Sequence, residues 1–239
     1  MAVIERILSA KANARKLLVW LIDPEKGNQA VRQEHLPDLI FVGGSTGEQV
    51  EGCIANLRAF TDCPIVLFPG NIAQFSPKAD ALLFLSLLNA KTADMLITPH
   101  IEVAMRVVES GIESIPMGYI LIDGGRKSSV EIVSACAPIA QDDVQRVVAT
   151  ALAGQLLGKQ LIYLEAGSGA KNSVSIDIIR AVAEQLTIPL IVGGGITTPE
   201  AMLEAFEAGA DIVVIGNHFE QHPDEIGDFV RIKREKYGE

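Results

Sequence analysis

Leu161-Ile162-Tyr163-Leu164-Glu165-Ala166-Gly167-Ser168-Gly169-Ala170 is an apolar run that breaks off in a carboxylate, two glycines and a serine. Runs this apolar signal strands buried on both faces, as in parallel sheets. In α/β folds the loop leaving such a strand's C-terminal end is where ligands sit. The stretch therefore reads as a buried strand that delivers Tyr163 and Glu165 to a glycine-rich turn, with Glu165 at the chemical centre.

Working outward, comparable apolar runs recur at 17–22, 39–42, 65–68, 81–88, 117–122, 190–192 and 212–215, which with 161–164 makes eight. Most are followed by a turn and then by helical spacing, as at 48–60, 100–110, 175–186, 199–208 and 224–236, and another helical pattern opens the chain. Strand and helix in alternation imply parallel strands with right-handed crossovers. Eight such units in 239 residues predict one closed (β/α)8 TIM barrel over 1–239, with an open doubly wound sheet as the competing arrangement.

Two connections break the rhythm. Residues 70–80 barely accommodate a crossover helix, and Pro77 would interrupt one, so the third outer helix is expected to be missing or replaced by a loop. That leaves an apolar groove on the barrel's side, able to hold something long and greasy. Residues 124–159 are instead long enough for two helical pieces, divided near Pro138.

The net charge of −10 and the pI near 4.9 argue against nucleic acid and against tight docking to anionic lipid. A small phosphorylated substrate remains open, because a few backbone amides bind phosphate inside an acidic protein. Cys53, Cys63 and Cys136 form no CxxC pair and read as reduced packing thiols of a cytoplasmic protein. Residues 1–14 lack the unbroken apolar core of a signal peptide, and no run approaches a transmembrane length.

The seventh strand ends in Gly193-Gly194-Gly195, followed by the Thr198-Pro199 helix-start signature; the eighth ends in Gly216-Asn217. With Gly167-Ser168-Gly169 they make three bare-backbone turns on consecutive strand ends, which together point to phosphate binding, although each alone reads equally as a tight loop. Asp23 ends the first strand and Ser45 follows the second; a carboxylate and a hydroxyl are hard ligands suited to Mg²⁺, while Asp23 as a turn cap is the plainer reading. Asp123 is a more remote candidate. His35, His100, His218 and His222 show no metal-ligand spacing and are expected on the surface or in loops.

The chain resembles the geranylgeranylglyceryl phosphate synthase family, which includes the PcrB-like heptaprenylglyceryl phosphate synthases. The resemblance rests on LIDPEK at 21–26, VGGSTG at 42–47, LFPGN at 67–71, FLSLLN at 84–89, GYILIDGG at 118–125, YLEAGSGA at 163–170, VGGGI at 192–196 and GN at 216–217. It implies a modified TIM barrel with its third helix replaced by a loop. The implied activity is transfer of a long prenyl group, with geranylgeranyl expected, from its diphosphate to the 3-hydroxyl of sn-glycerol 1-phosphate. Asp23 and Ser45 are then the Mg²⁺ ligands and Glu165 the base, with Tyr163 orienting the glycerol or the base. Glycerol phosphate would lie on Tyr163, Leu164, Glu165, Ala166, Gly167, Ser168, Gly169, Gly194, Gly195, Gly216 and Asn217. The resemblance also implies a homo-oligomer, with transient membrane contact for release of the lipid product. Residues 90–97 replace an aromatic-containing stretch near the prenyl groove, which leaves chain length open. Two rivals stand beside this reading: an aldolase or isomerase of sugar phosphates, which would need a Schiff-base lysine or a second acid or base, and a non-catalytic prenyl-lipid binder.

Overall fold

A computed structural model describes residues 1–26, 36–44 and 49–238. Eight parallel strands close on themselves in sequence order: β1 (Leu17–Ile22), β2 (Leu39–Val42), β3 (Ile65–Leu67), β4 (Ala81–Leu87), β5 (Glu113–Leu121), β6 (Leu161–Glu165), β7 (Leu190–Gly193) and β8 (Ile212–Ile215). Strand alternation divides the core in two. Leu39, Phe41, Leu83, Met117, Tyr119, Tyr163 and Ile191 fill the barrel; Leu18, Trp20, Ile40, Ile162, Leu164 and Val192 face the helices outside. This two-sided burial is why the strands read as continuous apolar runs.

The outer layer comprises α2 (Val50–Arg58), α4 (Thr98–Ser110), α6 (Val144–Leu156), α7 (Ile176–Ala183), α8 (Pro199–Glu207) and α10 (Ile226–Tyr237). Short helices α3 (Ala93–Leu96), α5 (Ser129–Ser134) and α9 (Asn217–Gln221) decorate the connections. Among the described residues no α-helix joins β3 to β4; one 3₁₀ turn, Ile72–Gln74, takes its place, as the short spacing and Pro77 require. The long connection after β5 is divided into α5 and α6, with Ile139 bridging back to Ile122 between them. β5 begins four residues earlier than the apolar run, because Glu113, Ser114 and Pro116 pair with β4 without being apolar on both faces.

The closed end at the strands' N-termini is held by carboxylates. Asp38, Asp80 and Asp211, each immediately before a strand, accept a backbone N–H from the start of the strand one place earlier: Leu18, second in β1, at 2.7 Å, Ile65, first in β3, at 2.7 Å and Leu190, first in β7, at 2.9 Å. Lys233, only 2% exposed, compensates Asp38 at 2.7–2.8 Å, and Lys11 compensates Asp211. α1 (Val3–Ala12) plugs the bottom with Val3, Ile7 and Ala10. Its N-terminal amides, Val3 and Ile4, donate to the Glu113 carboxylate at 2.6 and 2.8 Å, which satisfies otherwise unpaired helix donors and places a negative charge at the positive end of the helix dipole. Glu113→Ala should therefore lower stability by about 1.5–3 kcal/mol, the usual worth of hydrogen bonds to a charged group. Urea unfolding would measure the loss, with turnover unchanged because the site lies at the other end.

Candidate active site

At the strands' C-terminal end a cavity of about 410 Å³ opens between the loops after β1, β2, β6, β7 and β8. Asp23, Tyr163, Glu165, Ser168, Gly169, Gly194, Gly195, Gly216 and Asn217 all line it, so one rim gathers nine of the residues selected from the sequence. Leu164 and Ala166 do not reach it. Strand alternation turns both side chains into the outer core, and the amide of Gly167 is used internally by Glu165. Ser45 lies outside the described residues, as does His35.

Glu165 is 6% exposed, and its Oε1 accepts the Gly167 N–H at 2.6 Å. Burial pushes its carboxyl above the usual carboxylate range, tempered by Tyr163 and by the Gly167 amide. The Tyr163 hydroxyl is buried beside it and closes no hydrogen bond among the described residues. Two glycines, the last residue of β7 and the one after it, create this space. A Cβ on Gly193 would stand 2.2 Å from the Tyr163 hydroxyl oxygen, and one on Gly194 would stand 2.4 Å from Glu165 Oε1. Gly194 also takes φ +82°, which a side chain disfavours. The glycines after β7 therefore serve the acid as well as any anion.

Beneath the acid lies an aromatic floor. Tyr119 meets Tyr163 edge-on at 5.3 Å, Phe68 lies 5.6 Å from Tyr163, and Phe41 stacks on Phe68 at 6.1 Å. Tyr119 is directly across from Tyr163 in the β5–β6 register, a pairing that only the assembled sheet reveals. Burial, then the Glu165 charge, raises the Tyr119 hydroxyl well above its usual value, so it stays protonated.

Ser168 Oγ donates to Asn217 Oδ1 at 3.0 Å, tying the β6 loop to the start of α9. Thr198 caps α8 through the Ala201 amide, with Pro199 in its first turn. The loops after strands 7 and 8 and a short following helix are the usual phosphate-binding apparatus of this fold. Across the mouth, Asp23 Oδ1 accepts the Glu25 amide at 3.1 Å, so the turn-capping role expected as the plainer reading is real. The Asp23 amide donates to Glu220 of α9. A Cβ on Gly44 would lie 2.9 Å from Asp23 Oδ1, so only glycine fits beside that carboxylate. No group of three or more His, Cys, Asp or Glu among the described residues forms a metal cluster. Asp123 instead caps its own loop through the Gly125 amide at 2.8 Å.

Where the third helix is missing, an apolar groove of about 470 Å³ runs down the side between the 69–75 segment, β4 and α4. Phe68, Gly70, Tyr119 and Val130 border both groove and mouth, so the two are continuous. His100 is a correction to the expected surface position. It is 7% exposed, its ring lies 4.3 Å from Phe84, and burial, then the Lys159 charge, lowers its pKa so that it is neutral. The three cysteines are free, and burial raises the Cys63 thiol to about 12, as packing residues require.

A TIM barrel with a glycine cradle and a buried acid at its open end is a common frame for phosphorylated substrates. The side groove narrows the class to barrels that take a long apolar ligand as well. The chain belongs to the PcrB family, whose model matches residues 11–233. It is 46% identical to the geranylgeranylglyceryl phosphate synthase of Zunongwangia profunda over 226 residues, covering 91% of this chain and 97% of that one. It is 44% identical to the synthase of the same name from Flavobacterium johnsoniae over 229 residues, covering 90% and 93%. Among solved structures, the (S)-3-O-geranylgeranylglyceryl phosphate synthase of Thermoplasma acidophilum, in complex with sn-glycerol-1-phosphate, superposes with a TM-score of 0.90 at 35% identity, covering 98% of this chain and 99% of that one.

Because the folded protein holds the Glu165 proton more tightly than the unfolded chain does, ionisation costs stability as pH rises from the ordinary carboxylate range through the folded value. Glu165→Gln keeps an acceptor for Gly167 and cannot ionise. Its melting temperature should exceed that of the wild type at pH 8, and the difference should vanish at pH 4. Calorimetric scans across that range would measure it.

Proposed function

We propose that this protein forms the ether bond of a prenylglyceryl phosphate, transferring a long prenyl group, geranylgeranyl in the leading reading, from its diphosphate to the 3-hydroxyl of sn-glycerol 1-phosphate. The observation that carries the reading is the continuity of the apolar side groove with a mouth that holds a buried carboxylate beside a glycine cradle. The prenyl tail lies in the groove, with the phosphate of glycerol on the turns at Ser168–Gly169, Gly194–Gly195 and Gly216–Asn217. The glycerol 3-hydroxyl is then beside Glu165. As the hydroxyl oxygen bonds to prenyl C1, its proton passes to Glu165 and the C1–O bond to diphosphate breaks, the electron pair leaving with diphosphate. The upward-shifted carboxyl makes Glu165 a stronger base than an exposed carboxylate, the Gly167 amide fixes its orientation, and Tyr163 orients the glycerol.

Asp23 and Ser45 are the residues that would hold Mg²⁺, whose positive charge offsets that of the leaving diphosphate when it is bound there. The sugar-phosphate aldolase or isomerase reading leaves the apolar side groove without a use, and no lysine suited to a Schiff base lines the mouth among the described residues. A non-catalytic prenyl-lipid binder would have no use for a buried acid at the junction of groove and cradle. No described helix is long and apolar enough to cross a membrane, and the free thiols suit the reducing cytoplasm in which we place the protein. We further propose that it assembles with copies of itself. Ile101, Met105 and Val108 project exposed from one side of α4, and a second copy would cover them; sedimentation equilibrium should give at least a dimer.

Incubation with radiolabelled geranylgeranyl diphosphate and sn-glycerol 1-phosphate should yield labelled ether lipid and free diphosphate. Glu165→Gln should lower kcat by about 10²–10⁴-fold, the usual contribution of a general base, with glycerol phosphate binding nearly unchanged. In the wild type, kcat/KM should rise with pH through an apparent pKa above the ordinary carboxylate range, and the variant should lose that limb. Near-wild-type turnover in the variant would refute the base assignment. Asp23→Asn should shift the Mg²⁺ titration to higher concentration; an unchanged titration counts against its role as a ligand.

A further inference from the structure

The mouth has an unresolved charge problem. Its lining carries four carboxylic side chains, Asp23, Glu25, Glu165 and Glu220, and no lysine or arginine among the described residues. A phosphate monoester brings a charge of about −1.5 to −2 near neutral pH. Backbone amides orient such a group but supply only partial charge, so a cation close to the glycine turns would complete the site.

One stands just outside the lining. A Cβ built on Gly169 would meet Arg126 Nη1 at 3.5 Å and Asn217 Nδ2 at 3.5 Å, so the guanidinium hangs over the same turn that Asn217 approaches from β8. Arg126 is exposed, and no described residue forms an ion pair with it. Its backbone, however, is fastened to the cradle. The carbonyl of Gly124 accepts the Lys171 and Asn172 amides at 2.9 and 3.1 Å, and a Cβ on Gly124 would stand 2.2 Å from the Ala166 carbonyl oxygen. On the far side, Ser128 caps α5, and its Cβ fills the space a side chain on Gly167 would need. The loop after β5 therefore carries a planar, permanently charged donor fork on a backbone locked to the loop after β6, the geometry suited to phosphate oxygens.

We infer that Arg126 is a substrate-binding residue that closes the solvent side of the cradle by donating to the phosphate of glycerol phosphate. The inference rests on the proposed placement of that phosphate, and the test separates the two. sn-Glycerol 1-phosphate would be titrated calorimetrically into wild type, Arg126→Ala, Arg126→Lys and Gly194→Ala, with unfolding midpoints recorded for each. Arg126→Gln would replace the alanine variant if that failed to fold.

Arg126→Ala should bind about 10- to 100-fold more weakly, the span expected for losing hydrogen bonds to a charged group. Its affinity should depend less steeply on salt, and Arg126→Lys should recover part of the loss. In turnover assays KM for glycerol phosphate should rise in parallel, with kcat at saturation and KM for prenyl diphosphate little changed. Unchanged glycerol phosphate affinity in a folded Arg126→Ala, with Gly194→Ala impaired, overturns the role of Arg126 and leaves the cradle standing. A rise confined to KM for prenyl diphosphate overturns it too, assigning the guanidinium to the other substrate. Unchanged binding in Gly194→Ala overturns the cradle itself.

Discussion

Everything at the open end of this barrel depends on a carboxyl group kept out of water. Glu165 leaves the last turn of a strand buried on both faces, and one backbone amide is the hydrogen bond it is given. Room for it comes from absent side chains on the neighbouring strand, where Gly193 yields to the tyrosine ring and Gly194 to the acid. A carboxylate so poorly solvated is a costly element in the fold and a useful one in chemistry, because the same desolvation that opposes its charge increases its appetite for a proton. The emptiness of this glycine-rich loop is thus what houses the acid and the tyrosine, and a side chain at either position would displace one of them.

The opposite end is organised by a different use of the same chemistry. There the carboxylates are saturated with partners: each of three aspartates holds an amide at the start of a strand, and Lys233 and Lys11 balance the charge of two of them. Glu113 draws the opening helix over the hole. Acids at the base are thus spent on hydrogen bonds that lock the barrel, whereas Glu165 at the rim is left short of them. The division agrees with the general segregation of stability and function between the two ends of this fold.

The barrel was legible because burial on both faces writes strands as unbroken apolar runs, and the missing helix was legible from chain length, since 70–80 hold too few residues with Pro77 among them. Glu165 and the three glycine turns stood out because each comes at the end of such a run, and Tyr163 because it lies two residues before that acid. Tyr119 did not, since its importance comes from being level with Tyr163 across the β5–β6 ladder. Leu164 and Ala166 were included with their neighbours although strand parity turns them away from the cavity. His100 had a signal that went unread: with Val103 and Val107 it forms a helical stripe facing the sheet, and polarity alone suggested the surface. Arg126 sits in a loop, where periodicity carries no information and only the folded contact with Gly169 reveals it.

Omitting a helix beside β3 and β4 has a mechanical side. β3 is three residues long and meets β4 at two register positions, against seven between β4 and β5. Asp80 stitches the base of this joint, holding the Ile65 amide and the Arg58 guanidinium, but among the described residues no α-helix between β3 and β4 braces it from outside. The wall is therefore a hoop with one thin stave, and the least costly excursions from the closed barrel are those that part it there. The flank that can admit a hydrocarbon tail is also the flank along which the hoop can breathe.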